Sequence, residues 1–171
     1  MSVTVQVVDD GIPEDTEAFV AEFVPTSVSG GARIAPAHRN AIPFAVAPND
    51  DPFGVFALTE TLVNADEPDN VTLTVMRSAG LFRAVTVPWS IVQNSTHPDV
   101  LPVSGTLSFA AGQATADISL RVVDDDAPED REDAVLVLGD PSLPARIVQN
   151  STTLRIAAND FVNGVIEFEP G

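Results

Sequence analysis

An acidic stretch that occurs twice is the feature that most constrains the fold of this chain. "VVDDGIPEDTEA" begins at Val7 and "VVDDDAPEDRED" begins at Val122, an offset of 115 residues. Further on, "NDDPFGVF" from Asn49 matches "NDFVNGVI" from Asn159 at an offset of 110 residues, because the first copy carries about five extra residues between 26 and 40. A period of roughly 110 residues is the size of one β-sandwich and far exceeds the 20 to 50 residues of solenoid units.

The phase of this repeat predicts three segments. Residues 53–160 form one complete period, residues 1–52 match the second half of a preceding unit, and residues 161–171 match the first strand of a following unit. A half sandwich of about 50 residues exposes its inner sheet face and buries too little surface to be stable alone. We therefore expect residues 1–52 to pack less well than the middle unit, or to pair with a neighbouring unit or another molecule.

The local patterns are typical of an all-β protein. Apolar and polar residues alternate over residues 3–8, 71–77, 116–122 and 153–157, and Val, Thr, Ile and Leu dominate these stretches. Fourteen prolines and ten glycines leave little room for a long helix. A ligand-stacking role for Trp89 is the alternative to a core position, which the alternation around it favours. The predicted core residues are Phe53, Phe56, Leu73, Val75, Val87, Trp89, Leu107, Phe109, Ile118, Leu120, Val135, Val137, Leu154 and Ile156.

The charge of the chain narrows the class of partner. It has 25 acidic residues against 8 lysines and arginines, a net charge of -17, which argues against nucleic acid and against anionic membrane surfaces. Because 44% of the residues are apolar, the chain is not a disordered acidic tail. Cysteine is absent, which excludes disulfides and thiolate zinc sites. No apolar run approaches the roughly 18 residues of a membrane span, and the first residues lack the pattern of a signal peptide.

Several spaced elements, taken in order, resemble the Calx-beta domain. The matching stretches are residues 54–77, residues 99–133 with "GTLSF" and "VVDDDAPED", and residues 156–168 with "ND" followed by "GV". The resemblance implies tandem immunoglobulin-like antiparallel β-sandwiches of seven strands each. This family occurs in sodium/calcium exchangers, in integrin β4 and in large extracellular adhesion proteins. The junction "NDDPFGVF" is similar to junctions in the tandem arrays of giant adhesion receptors of the G-protein-coupled class.

The repeated acids predict a calcium site. Calcium prefers six to eight oxygen ligands from carboxylates, backbone carbonyls and water. Asp124 and Asp125 end a predicted strand and Glu129 and Glu132 begin the next, so these side chains can point to one end of the sandwich. The resemblance adds an acid from the first loop, an acid before the "GTLSF" strand, one main-chain carbonyl and the residues that close the repeat. The expected ligands of the complete unit are Glu67, Asp99, Asp124, Asp125, Asp126, Ala127, Glu129, Glu132, Asn159 and Asp160.

Two departures limit this expectation. Relatives that hold several calcium ions often close with three consecutive acids, whereas this chain has Asn159, Asp160 and Phe161, which predicts fewer ions or weaker binding. The first half-repeat carries only a partial site, and its members are Asp9, Asp10, Glu14, Glu17, Asp50 and Asp51. A run of acids is more often a solvated loop. The two copies keep Asp, Asp, Pro, Glu and Glu in register, however, and this favours calcium.

Sequons and missing motifs bear on the compartment and on catalysis. The three Asn-x-Ser/Thr sequons at Asn70, Asn94 and Asn150 favour an extracellular chain that carries glycans. No enzymatic activity is expected, because both histidines fall in predicted loops and the sequence has neither a nucleophile elbow nor a phosphate-binding loop.

Three functions remain open at this point. The first is a calcium-stiffened spacer or adhesion segment in the extracellular part of a cell-surface membrane protein. The second is a cytosolic calcium-sensor module of an exchanger-like transporter, and the third is a calcium-independent structural spacer. The expected partners are the neighbouring repeats of the same chain and a homotypic or heterotypic adhesion partner, with no nucleic acid and no membrane insertion.

Overall fold

A computed structural model describes residues 4–23, 30–31, 41–93, 99–124, 128–158 and 164 of the chain. Twelve β-strands are the regular elements of this described part. It contains no helix that is long and apolar enough to cross a membrane. The all-β class predicted from the sequence is confirmed.

Ten of the strands form a sandwich of two five-stranded sheets. They are β3 (Val55–Leu58), β4 (Leu62–Ala65), β5 (Asn70–Ser78), β6 (Val85–Val92), β7 (Val100–Leu101), β8 (Ser104–Phe109), β9 (Thr115–Val122), β10 (Glu132–Leu138), β11 (Arg146–Gln149) and β12 (Ser151–Ile156). One sheet has the order β4-β12-β10-β6-β8 and the other has the order β11-β3-β5-β9-β7. The pairs β4-β12 and β3-β11 are parallel, and the other pairs are antiparallel.

The core lies between the two sheets and follows the predicted alternation in most strands. Phe56 and Phe109 meet edge to face, with ring centroids 5.1 Å apart. Trp89 is a core residue, as predicted, and its ring covers Gly105, where a Cβ atom would lie only 2.6 Å from the indole. Any larger residue at position 105 would displace the tryptophan.

The core prediction is wrong for Val135 and Val137 in β10. Both are only half-buried, and the buried side chains of this strand are Ala134, Leu136 and Leu138 instead. β10 carries apolar residues at five successive positions, so alternation cannot fix which face points inward.

The two remaining strands form a separate hairpin-like pair in residues 1–52. β1 (Glu17–Glu22) pairs antiparallel with β2 (Ala41–Val46), and neither strand has a buried residue. Phe19 and Phe44 stack on each other, with ring centroids 5.5 Å apart, beside a cleft of about 230 Å³ that the preceding segment helps to line. Both rings keep more than a third of their surface exposed, at 43% and 36%.

The strand predicted over residues 3–8 does not form: residues 4–10 are described and have no regular secondary structure. At the offset of 115 this segment corresponds to β9, which lies between β5 and β7. Within the described residues, no second pair of such strands stands beside residues 4–10. A segment with alternating apolar and polar residues cannot complete the backbone hydrogen bonds of a strand when no adjacent strand is present.

Candidate metal sites at two acidic ends

One end of the sandwich gathers the loops that carry the predicted ligands. β9 ends there at Val122 and β10 begins there at Glu132. The Val123 amide donates to the Asp99 carbonyl at 2.7 Å, and the Val122 amide donates to the Asp69 carbonyl at 2.8 Å, so three loops are joined by backbone hydrogen bonds. We call this end the acidic pole of the complete domain; its described carboxylates are Glu67, Asp99, Asp124, Glu129 and Glu132.

Three of the other carboxylates act through their charges on Glu132. Burial raises the pKa of Glu132 above its ordinary value, and a hydrogen bond with Asp99 together with the negative charges of Asp99, Glu129 and Glu67 raises it further. Asp99 is itself buried, with 7% of its surface exposed. A carboxyl group with a raised pKa among like charges marks a place where one positive charge would be favourable.

The remaining predicted ligands are placed only in part. Asp124 is the second residue after β9 and is exposed. Asp125, Asp126, Ala127, Asn159 and Asp160 lie outside the described residues, so their contribution stays a prediction.

The first half-repeat has its own convergent acids, which we call the acidic pole of the half-repeat: Asp9, Asp10, Glu14, Glu17 and Asp50. The backbones of Glu14 and Asn49 exchange two hydrogen bonds of 3.3 Å and hold the two ends of the half-repeat together. Desolvation and the charges of Glu17, Asp10, Asp50 and Asp9, in that order, raise the pKa of Glu14.

Asp50 is the counterpart of Glu14 on the closing segment. Desolvation and the negative charges of Asp9, Asp10 and Asp51 raise its pKa, as does a hydrogen bond with Asp9. The carboxylates of two sequence-distant segments, residues 9–17 and residue 50, therefore lie close enough to influence one another electrostatically; that they form a metal site stays a prediction.

Asn49 is a residue of this pole that the sequence argument did not include among the ligands. Its Nδ2 donates to Asp50 Oδ2 at 2.8 Å, while its Oδ1 is buried and accepts no hydrogen bond from any described residue. A buried oxygen without a donor is destabilising unless a cation or water contacts it. The signal was present in the sequence, since Asn49 matches Asn159, which was expected as a ligand of the complete unit.

Asp51 behaves differently from its neighbours. It was expected in the partial site, but its carboxylate forms an ion pair with Arg146 in β11, with an Oδ2–Nη2 distance of 2.6 Å. A second ion pair joins Asp15 to Arg83, at 2.7 and 2.8 Å, and these bonds lower the pKa of Asp15. Through these two pairs, Asp15 and Asp51 connect residues 1–52 to the ten-stranded sandwich. Sequence separations of 95 and 68 residues gave no signal for either.

The chemistry of both poles fits a hard cation, but the described residues do not form a finished coordination shell. Within the described ranges, no group of three or more acidic or histidine side chains is arranged to hold a metal ion. The donors that are present are carboxylates and one orphaned amide oxygen, the ligand types that calcium prefers. Of the three sequons, Asn70 and Asn150 are exposed, and Asn94 lies outside the described residues.

These observations define the class of protein. A two-sheet sandwich with acidic loops at one end is the Calx-beta architecture, and residues 49–160 match the Calx-beta domain family. The chain belongs to this family.

Two kinds of relative stand out among known proteins. The chain is 33% identical, over 97% of its length, to adhesion G-protein coupled receptor V1 of Danio rerio, and 25% identical, over 82% of its length, to sodium/calcium exchanger 1 of Rattus norvegicus. It spans only 3% of the receptor and 16% of the exchanger.

Solved structures agree on the fold. The apo form of the Calx CBD1 domain matches with a TM-score of 0.55 and 20% identity, covering 60% of this chain and 95% of that domain. The calcium binding domain CBD12 of CALX1.1 matches with a TM-score of 0.55 and 22% identity, covering 61% of this chain and 46% of that one. At these identities the likeness concerns the fold alone.

Proposed function

We propose that the chain binds calcium at its acidic poles and serves as a calcium-stiffened spacer or adhesion segment in the extracellular part of a large cell-surface receptor. The observation that carries this proposal is that carboxylates from sequence-distant loops lie near one another at both poles, where desolvation first and the neighbouring negative charges next raise the pKa values of Glu132, Glu14 and Asp50. Acids in a merely solvated loop would separate and keep their ordinary pKa values.

The residues of each pole have distinct roles in this proposal. In the complete domain, Glu67, Asp99, Glu129 and Glu132 hold the ion, together with the predicted ligands outside the described residues. In the half-repeat, the carboxylates of residues 9–17, Asp50 and the orphaned Asn49 Oδ1 do so. A bound calcium ion supplies positive charge that offsets the repulsion among these groups. Because Asp15 and Asp51 extend from the half-repeat pole to Arg83 and Arg146, ordering this pole also stiffens its connection to the complete domain.

The extracellular setting rests on the similarity to the adhesion receptor, which covers nearly the whole chain, and on the exposure of Asn70 and Asn150. The second candidate is a cytosolic calcium-sensor module, which the weaker similarity to sodium/calcium exchanger 1 supports. In both settings the neighbouring repeats are the immediate partners. Glycans on the chain isolated from secreting cells would favour the extracellular setting, and an unmodified chain would favour the cytosolic one.

The test is a calcium titration of the full chain by calorimetry and thermal melting. The variants Glu132→Gln and Glu14→Gln each remove one charge from one pole, and Asp140→Asn removes one charge from an exposed loop at the far end of β10. We expect saturable heat and a higher melting temperature in the wild type and in Asp140→Asn, with a weaker response in each pole variant. Binding to the folded state alone stabilises it by mass action.

A chain that shows no response to calcium would overturn the proposal. Extracellular calcium modules bind at roughly 10⁻⁴ to 10⁻³ M. If no heat and no change in melting temperature appear at about 10 mM calcium, well above that range, the acids are a solvated rim and the chain is a calcium-independent spacer.

A further inference from the structure

The side chain of Arg77 is the largest fully buried one in the sandwich, with 2% of its surface exposed. It forms five hydrogen bonds, and all of them end on backbone carbonyl oxygens: Nε to Phe53, Nη1 to Arg83 and Ala110, and Nη2 to Phe82 and Arg83. Its guanidinium lies 5.8 Å from the centroid of the Phe56 ring. A residue needed only to fill the core would be apolar, since burying a guanidinium is unfavourable unless each N–H is satisfied.

Three of the four carbonyls that Arg77 binds belong to two segments that adjoin residues 1–52, and the fourth, that of Ala110, lies between β8 and β9. Phe53 directly follows the closing residues of the half-repeat, and Phe82 and Arg83 lie in the loop between β5 and β6. Backbone hydrogen bonds tie these segments to each other, since the Phe82 amide donates to the Pro52 carbonyl at 3.1 Å and the Gly80 amide donates to the Asp51 carbonyl at 3.1 Å.

Arg83 connects this arrangement to the half-repeat. Its backbone has a φ of 60°, in the left-handed region that arginine rarely adopts, and its carbonyl accepts two of the Arg77 hydrogen bonds. Its guanidinium lies 5.4 Å from the Phe53 ring centroid and forms the two hydrogen bonds to Asp15. An arginine whose backbone is in the left-handed region persists there only where its surroundings hold it. The two hydrogen bonds from Arg77 to the Arg83 carbonyl supply that restraint.

We propose that Arg77 is a positioning residue for the contact between the half-repeat and the complete domain: it fixes the backbone of Phe53 and Arg83, so that the Arg83 side chain is presented to Asp15. The partner that this surface fits is the acidic turn of a preceding repeat, here residues 9–17. This role does not depend on calcium binding, so failure of the proposed function would leave it intact.

The test measures the distance between the two parts of the chain. Because the chain has no cysteine, nitroxide labels can be placed at Glu22→Cys in β1 and Ser119→Cys in β9, both exposed positions. The distance between the two labels is measured by pulsed electron–electron double resonance on the full chain, with a calcium chelator present. We expect a narrow distance distribution in the otherwise wild-type chain and a broad one in Arg77→Lys, since a lysine has three donors and cannot bind four carbonyls. Asp15→Asn should broaden it as well.

Two controls separate positioning from stability. Leu107→Ala opens a cavity in the core of the other sheet and should lower the melting temperature by roughly 10 °C, as should Arg77→Lys, but it should leave the distribution narrow. Arg155→Lys makes the same substitution at an exposed ion pair and should also leave it narrow. If Arg77→Lys lowers the melting temperature and the distribution stays narrow, Arg77 is a core residue only and the proposal is wrong.

A second measurement does not require an Arg77 variant to fold. Coupling between two sites is reciprocal, so the loss of the Asp15 contact should loosen the arginine that supports it. We expect the Arg77 Nε–H to exchange with solvent several-fold faster in Asp15→Asn than in the wild type, measured by NMR. An unchanged exchange rate would contradict the proposal.

Discussion

The strand pairs β1-β2 and β10-β12 have the same register and opposite burial. Glu17 faces Val46 in the first pair, and Glu132 faces Ile156 in the second, which are the same positions at the repeat offsets of 115 and 110. Yet neither β1 nor β2 has a buried residue, whereas β10 and β12 each have three.

The difference lies in the neighbours of each pair. β10 also pairs with β6, and β12 also pairs with β4, while the described residues provide no strand at the outer edge of β1 or of β2. The residues of two strands therefore determine the register of the pair, but the burial of their side chains depends on the strands beside and opposite them.

The largest expected effect comes from truncating one matched apolar position in each pair. Leu154 in β12 is fully buried, and Phe44 is its counterpart in β2. We expect Leu154→Ala to lower the free energy of unfolding by about 3 kcal/mol through lost burial and a cavity. Phe44→Ala should lower it by about 1 kcal/mol at most, since its ring contacts chiefly Phe19. Urea unfolding measures both, and equal losses would mean that the half-repeat has a core of its own.

A smaller effect is expected in how the stability of the chain depends on pH, to which the two acidic poles should contribute unequally. The raised pKa of Glu132 means that its protonated form stabilises the fold; this contribution is complete below the pKa of the unfolded chain and is lost as pH rises through the folded pKa. Asp133 has the opposite sign, because Arg155 lowers its pKa and its stabilisation is lost as pH falls below about 4. Without calcium, the melting temperature should therefore rise as pH falls through the raised pKa of Glu132 toward the ordinary glutamate value of about 4.3, and decrease below about 4.

Matched variants show which pole controls this profile. Glu132→Gln should reduce the rise between neutral and mildly acidic pH, whereas Glu14→Gln should leave the main melting transition nearly unchanged, because the half-repeat contributes little buried surface. Calorimetric scans in a chelating buffer provide the measurement. An equal reduction by both variants would show that the two poles unfold together.

The smallest expected effect comes from moving an ion pair between the two regions. Asp133 and Arg155 are opposite each other in β10-β12 and form an ion pair at 3.0 Å, while Ala18 and Ala45 occupy the matching opposite positions in β1-β2. The double variant Ala18→Asp, Ala45→Arg should raise the local free energy of opening of the β1-β2 pair by about 0.5 kcal/mol. This gain would be measured as slower amide hydrogen exchange in the pair. The gain should disappear at about 1 M salt, where exposed charges are screened; a gain that survives high salt would not come from the ion pair.

Much of this fold could be predicted because the repeat and the alternation of apolar and polar residues are visible in the sequence. The repeat gave the unit size, and alternation located β5, β9 and β12 within one or two residues. Alternation failed where a strand is apolar on both faces, as at Val135 and Val137, and where the strand's neighbours are missing, as at residues 4–10. Both failures concern what surrounds a strand, which its own residues do not specify.

The site divides in the same way. The repeat placed Glu14 and Asp50 in one predicted partial site, and in the structure the pKa of each is raised by desolvation and by the negative charge of the other segment; their role as calcium ligands stays a prediction. The repeat could not indicate that Asp51 would bind Arg146 or that Asp15 would bind Arg83, since an ion pair between distant segments leaves no periodic trace. The buried Arg77 was also unforeseen, because an arginine at the end of an alternating strand usually points to solvent.

The position of β12 has a consequence for the order of events during synthesis. Among the strands that the structure describes, β12 is the last to leave the ribosome, yet it lies between β4 and β10, and its Thr153 pairs with Leu62. At roughly 5 to 20 residues per second, several seconds pass between the emergence of these two strands. During that interval the inner edge of β4 has no partner. The sandwich therefore closes only when β12 arrives, and it is most open to mispairing just before that strand emerges.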